Sequence, residues 1–120
     1  MRIFTRGGVV MLAAVAMLGG AAVARADDSI SGEVIDLACY MAHPATSTGP
    51  SHKKCAQTCA KKGIPMGLLT DDKTVYLLLE DHDNPKGYAM AKDKAAEKIT
   101  VQGNKVMQGG MNGIVVESVQ

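Results

Sequence analysis

Lys98-Ile99-Thr100-Val101-Gln102-Gly103 alternates polar and apolar residues without a break. A period of two is what a strand with one buried face requires, and a helix cannot satisfy it. This stretch constrains the fold most: it predicts that Ile99 and Val101 face a core built by sheet packing. Val75 to Leu79 is apolar on both faces, which predicts a strand covered on two sides. Leu68-Leu69 precedes it across the polar tetrad Thr70-Asp71-Asp72-Lys73, and that order predicts a hairpin. Ile114 to Val119 is a last strand, after the glycine-rich turn Gly109-Gly110-Met111-Asn112-Gly113. At the front, Ile30 and Val34 share one parity while Ile35 and Leu37 share the other. That switch of phase predicts a bulge or sharp bend inside the first strand.

Two helices are expected between the strands. Ser51 is placed as an N-cap, Lys61 and Lys62 fall in a last turn, and Gly63 with Pro65 closes the segment. The second helical stretch is alanine-rich and runs from Tyr88 to Glu97, ahead of the fourth strand.

The first 26 residues read as a signal peptide rather than as part of the fold. Arg2 and Arg6 precede an apolar run from Val9 to Val23, and Ala24-Arg25-Ala26 supplies the small residues of a cleavage site. Removal leaves one domain, residues 27–120, and predicts a periplasmic or secreted protein with no stable membrane insertion after cleavage. All three arginines leave with that segment. Ten lysines then face twelve acids, for a net charge of −2, and neither Phe nor Trp remains. Such a chain lacks the basic surface that phosphate backbones need and the aromatic platforms on which bases stack, so nucleic-acid binding is not expected. An aliphatic core of this size barely offsets chain entropy, so a crosslink or a metal would add useful stability.

Every cysteine lies between Cys39 and Cys59, together with His43 and His52, two of the three histidines. Around a helix, His52, Cys55 and Cys59 fall within a stripe of about 60°. Cys39, placed at the end of the preceding strand, reaches that stripe if the Pro- and Gly-containing loop folds back. Three sulfurs and one imidazole form the ligand set of a tetrahedral Cys3His site for Zn²⁺. Thiolates equally suit Cu(I), for which Met41 and His43 are auxiliary ligand candidates. The competing expectation is a disulfide from Cys39 to Cys55 or to Cys59. It would close a loop of about 16 or 20 residues and contribute roughly 3 kcal/mol. A c-type haem site would need C-x-x-C-H, and a thioredoxin-like site C-x-x-C; neither occurs. No acid near His52 in sequence marks a Cys-His hydrolase, so catalysis is not expected. Asp81-His82-Asp83-Asn84 reads as a surface loop, and His82 as a solvated residue.

Gly32-Glu33-Val34-Ile35-Asp36-Leu37-Ala38-Cys39, then His52-x-x-Cys55-Ala56-x-x-Cys59, then Gly63-Ile64-Pro65 resembles a pattern of small exported bacterial proteins. The ending, from Lys98 to Val116, is similar to OB-fold-like exported proteins. The resemblance implies export and a mainly β, five-stranded OB-fold-like barrel; it implies no activity. Within that barrel the cysteine-bearing helix falls between the first and second strands. Two functions are therefore expected to compete. One is an exported metal-binding module using Cys39, His52, Cys55 and Cys59. The other is a non-enzymatic interaction module, stapled by one disulfide and keeping one free thiol. In either case the partner would be a larger exported or redox protein.

Overall fold

The computed structural model describes residues 28–120; the expected signal segment 1–26 lies outside the described residues. Five strands and three short helices follow one another as β1 (Asp28–Asp36), α1 (Leu37–Ala42), α2 (Lys53–Lys61), β2 (Met66–Leu69), β3 (Val75–Glu80), α3 (Lys86–Asp93), β4 (Lys98–Gln108) and β5 (Met111–Val119). A single 3-10 turn, Pro50–His52, leads directly into α2. The strands close into a barrel in the order β1-β2-β3-β5-β4. Every pairing is antiparallel except β3 with β5. This is the expected OB-fold-like barrel, with the cysteine-bearing helix inserted between β1 and β2. Among the described residues no helix is long and apolar enough to cross a membrane.

The barrel interior is aliphatic. Val34, Leu68, Val101, Ile114 and Val116 are fully buried, with Met66 at 1 % exposure filling the space between them. Each large side chain removed from water in this way contributes about 2 kcal/mol. Ala56 and Ala60 on α2, and Ala91 with Ala95 at α3, join the same cluster. These small side chains let the helices sit close to the barrel.

β1 divides its hydrogen bonds between two neighbours. Asp28 to Glu33 pair with β4, and Glu33 to Asp36 pair with β2, both in unbroken register. The unbroken register excludes a bulge in β1, which instead passes from one neighbour to the other at Glu33; the register irregularity lies between Gln102 and Gly103 of β4. The phase switch near Val34 has another cause. Val34 faces the barrel core, while Ile35 on the opposite face is buried from outside, and Asp36 beyond it is wholly buried. The insert after β1 covers the outer surface of the strand's second half.

Several boundaries also differ. Cys39 is not at the end of a strand but within α1, whose N-cap is Asp36. Ser51 does not cap α2; it sits inside the 3-10 turn, and α2 begins without a side-chain cap. The Gly109–Met111 region is tighter than expected. Only Gly109 and Gly110, at φ of 58° and 78°, make the turn, while Met111 to Gly113 already belong to β5. In β3 only Leu78 is buried, and its neighbours on the outer face are half-buried rather than covered. The second helix is α3, ending at Asp93 instead of Glu97. The residues after it pair with β1 instead: Ala96 N–H donates to the Val34 carbonyl at 2.7 Å, and Val34 N–H to that of Glu97 at 3.0 Å.

Candidate metal centre

The site is assembled where β1 ends. Asp36 leaves the strand in extended conformation, and its side chain accepts a 2.8 Å hydrogen bond from the Cys39 N–H. That bond satisfies an otherwise unpaired donor in the first turn of α1 and turns the Cys39 side chain toward α2. The connecting loop is held to the barrel by its own polar groups. Gly49 N–H donates to Glu33 Oε1 at 2.5 Å, and the Ser47 hydroxyl donates to the His43 carbonyl at 2.7 Å. The 3-10 turn then delivers His52, whose side chain is 12 % exposed.

The C-terminus of α2 is equally well defined. Gly63, at φ of 79°, follows the helix in the left-handed conformation. Ile64 N–H bonds the Cys59 carbonyl at 3.1 Å, and Gly63 N–H bonds that of Ala60 at 3.2 Å. This is the Schellman pairing, and it anchors Cys59 in the last full turn. Leu37 N–H donates to the Pro65 carbonyl at 3.0 Å, tying the start of α1 to the chain leaving α2.

These anchors bring Cys39, His52, Cys55 and Cys59 close enough to hold a metal ion. The donors of Cys39, His52 and Cys55 lie within 4.8 Å of one another, as do those of Asp36, Cys39 and Cys59. Cys39 is the shared member: three of the four expected ligands make one group, and Cys59 joins Cys39 in a second group that Asp36 completes. A tetrahedral ion with Zn–S near 2.3 Å spaces its donors about 3.8 Å apart, a contraction within reach of side-chain torsions. All three thiols are free. Cys39 shares one donor group with Cys55 and the other with Cys59, so both sulfurs of α2 lie within 4.8 Å of the Cys39 sulfur. Cys55 is exposed, and the other two are half-buried. Met41 is 75 % exposed on α1. His43 is exposed and belongs to neither donor group.

Asp36 is the member that the residue pattern did not flag. Its side chain is wholly buried, and Oδ2 lies 2.8 Å from His52 Nε2. Burial alone would raise its carboxyl, but the hydrogen bonds from Cys39 N–H and His52 outweigh this and hold it below the ordinary value. The available signal was an Asp directly before Leu-Ala-Cys, an N-cap residue at the end of a strand. The same carboxylate acts on the thiols. Its hydrogen bond, helped by burial and by its negative charge, pushes Cys39 up to about 12. Burial, then the Asp36 charge, raises Cys59 as well.

A thiol whose folded pKa is raised stabilises the fold below its unfolded value and loses that contribution as pH rises through the folded one. The reduced, metal-free protein should therefore lose stability between pH 9.0 and about 12. Urea midpoints at pH 8 and pH 10.5 measure it. Cys39→Ser should flatten the part of the decline that belongs to this thiol; an unchanged decline would assign it elsewhere.

Comparison with family models, with curated proteins and with solved structures returns no match. The reading of the site therefore rests on its own chemistry.

Proposed function

We propose that this protein is an exported metal-binding module, not an enzyme, that holds Zn²⁺ or Cu(I) through Cys39, His52, Cys55 and Cys59. The observation that carries the reading is the convergence of three thiols and one imidazole, from two helices and the turn between them, on the shared Cys39. Sulfur-rich donor sets with one imidazole select Zn²⁺ or Cu(I) over hard cations. The exposure of Cys55 leaves one side open to an incoming thiolate, which favours storage or delivery over a closed structural role. A larger exported or redox protein would be the recipient. Arg2, Arg6 and the apolar run to Val23 support export to the periplasm or beyond the cell as part of this reading.

The disulfide-stapled interaction module is the second reading, favoured by the approach of the Cys55 and Cys59 sulfurs to within 4.8 Å of Cys39. Cys55 and Cys59 stand one helical turn apart on α2, where β-carbons are about 5–6 Å from each other. A disulfide needs about 3.8 Å, so any staple must use Cys39.

Protein isolated anaerobically from the exporting cell separates the two. The metal reading predicts about one equivalent of bound Zn or Cu per chain, an N-terminus at Asp27, and three titratable thiols once a chelator has removed the ion. His52→Ala should weaken Zn²⁺ binding by roughly 10- to 100-fold with the thiol count unchanged. One free thiol, no metal and no effect of His52→Ala would establish the staple instead.

A further inference from the structure

We propose that Asp36 is a positioning residue for His52: it holds the imidazole as the Nε2–H tautomer, so that Nδ1 is the atom offered to a metal. An ionised carboxylate only accepts hydrogen bonds. Asp36 is wholly buried, and both of its oxygens are engaged: Oδ1 by the Cys39 N–H and Oδ2 by His52 Nε2, each at 2.8 Å. With an acceptor fixed against it, Nε2 must carry the proton. A neutral ring then keeps its lone pair on Nδ1.

The donor groups point the same way. Asp36 and Cys39 share one group, and Cys39 and His52 share the other. Nε2 is already taken by Asp36 Oδ2 at 2.8 Å, which leaves Nδ1 as the ring nitrogen free for the group that His52 shares with Cys39 and Cys55. Carboxylate–imidazole–metal relays of this kind fix ring orientation and raise the basicity of the ligating nitrogen. Here the same carboxylate also caps α1 and so sets the position of Cys39. One buried side chain orients two of the four ligands. The alternative role for Asp36, direct coordination beside Cys39 and Cys59, would require it to loosen contacts that hold both helix start and imidazole.

The metal role rests on the function proposed above, but the tautomer is measurable without any metal. Long-range ¹⁵N–¹H correlation on the reduced, full-length protein should show His52 with a protonated Nε2 and a lone-pair Nδ1. A lone-pair Nε2 would overturn the assignment. Asp36→Asn keeps an oxygen for the Cys39 N–H but turns an NH₂ toward Nε2, so the tautomer should reverse. Competition against a chromophoric chelator should then show Zn²⁺ binding weakened about 10- to 100-fold. In the His52→Ala background Asp36→Asn should cause no further loss, because the effect runs through the imidazole. An equal loss in both backgrounds would make Asp36 a ligand and sink the positioning role. Should the wild-type chain bind no Zn²⁺, the proposed function fails, and the wild-type spectrum still decides the tautomer.

Discussion

Cys39→Ser should lower the affinity of the reduced protein for Zn²⁺ by roughly 100-fold or more, taking one ligand's share of a four-ligand site as about 3 kcal/mol. Competition with a chelator of known affinity measures it. The effect should exceed that of Cys55→Ser or Cys59→Ser, because Cys39 alone belongs to both groups of converging donors. Serine is close to isosteric with cysteine, and the Asp36 contact to the Cys39 backbone N–H does not depend on the sulfur. The loss should therefore appear in metal binding, with the barrel intact by circular dichroism. Equal effects from all three cysteines would mean that Cys39 is not the hub of the site.

The largest effect on stability should come from Gly103→Ala. Gly103 lies at the register irregularity of β4, opposite Val116 on β5. A β-carbon there would overlap the Val115 carbonyl oxygen and stand 3.0 Å from its carbon. Both atoms are backbone in the strand pair that completes the barrel, so neither yields without breaking the ladder. A cost above about 3 kcal/mol follows, which in a domain of this size lowers Tm by more than roughly 12 °C. Gly109→Ala serves as the comparison. Its added carbon meets nothing within 4 Å, and only its φ of 58° is unfavourable. The cost there should be about 1 kcal/mol. If Gly103→Ala melted within a few degrees of Gly109→Ala, the close approach of β4 and β5 would be wrong.

The barrel was legible where one physical demand governs the residues. Ile99 and Val101 alternate with polar neighbours because one face of β4 is inside and the other is wet. The stripe of His52, Cys55 and Cys59 was legible because helical geometry fixes the angle between them, even though His52 itself sits in the 3-10 turn before α2. What was misread lies where two demands overlap. Ile35 looked like evidence of a bulge because burial from the barrel and burial by the insert both select apolar residues. Leu37 and Cys39 read as the end of a strand although they belong to α1, since its six residues hold too little of a helical period to declare themselves. Little in the sequence marks Asp36, because an acid at a strand end is ordinarily solvated. Its importance comes from the Cys39 N–H and His52, partners that only the folded chain brings to it.

X-ray absorption at the metal edge of the Zn-loaded protein tests the central claim most directly, because it counts ligand types without assuming which residues bind. The account predicts three sulfur scatterers near 2.3 Å and one nitrogen scatterer at about 2.0–2.1 Å, with one sulfur lost in Cys39→Ser. A shell of oxygen and nitrogen alone, unchanged by Cys39→Ser, would contradict it.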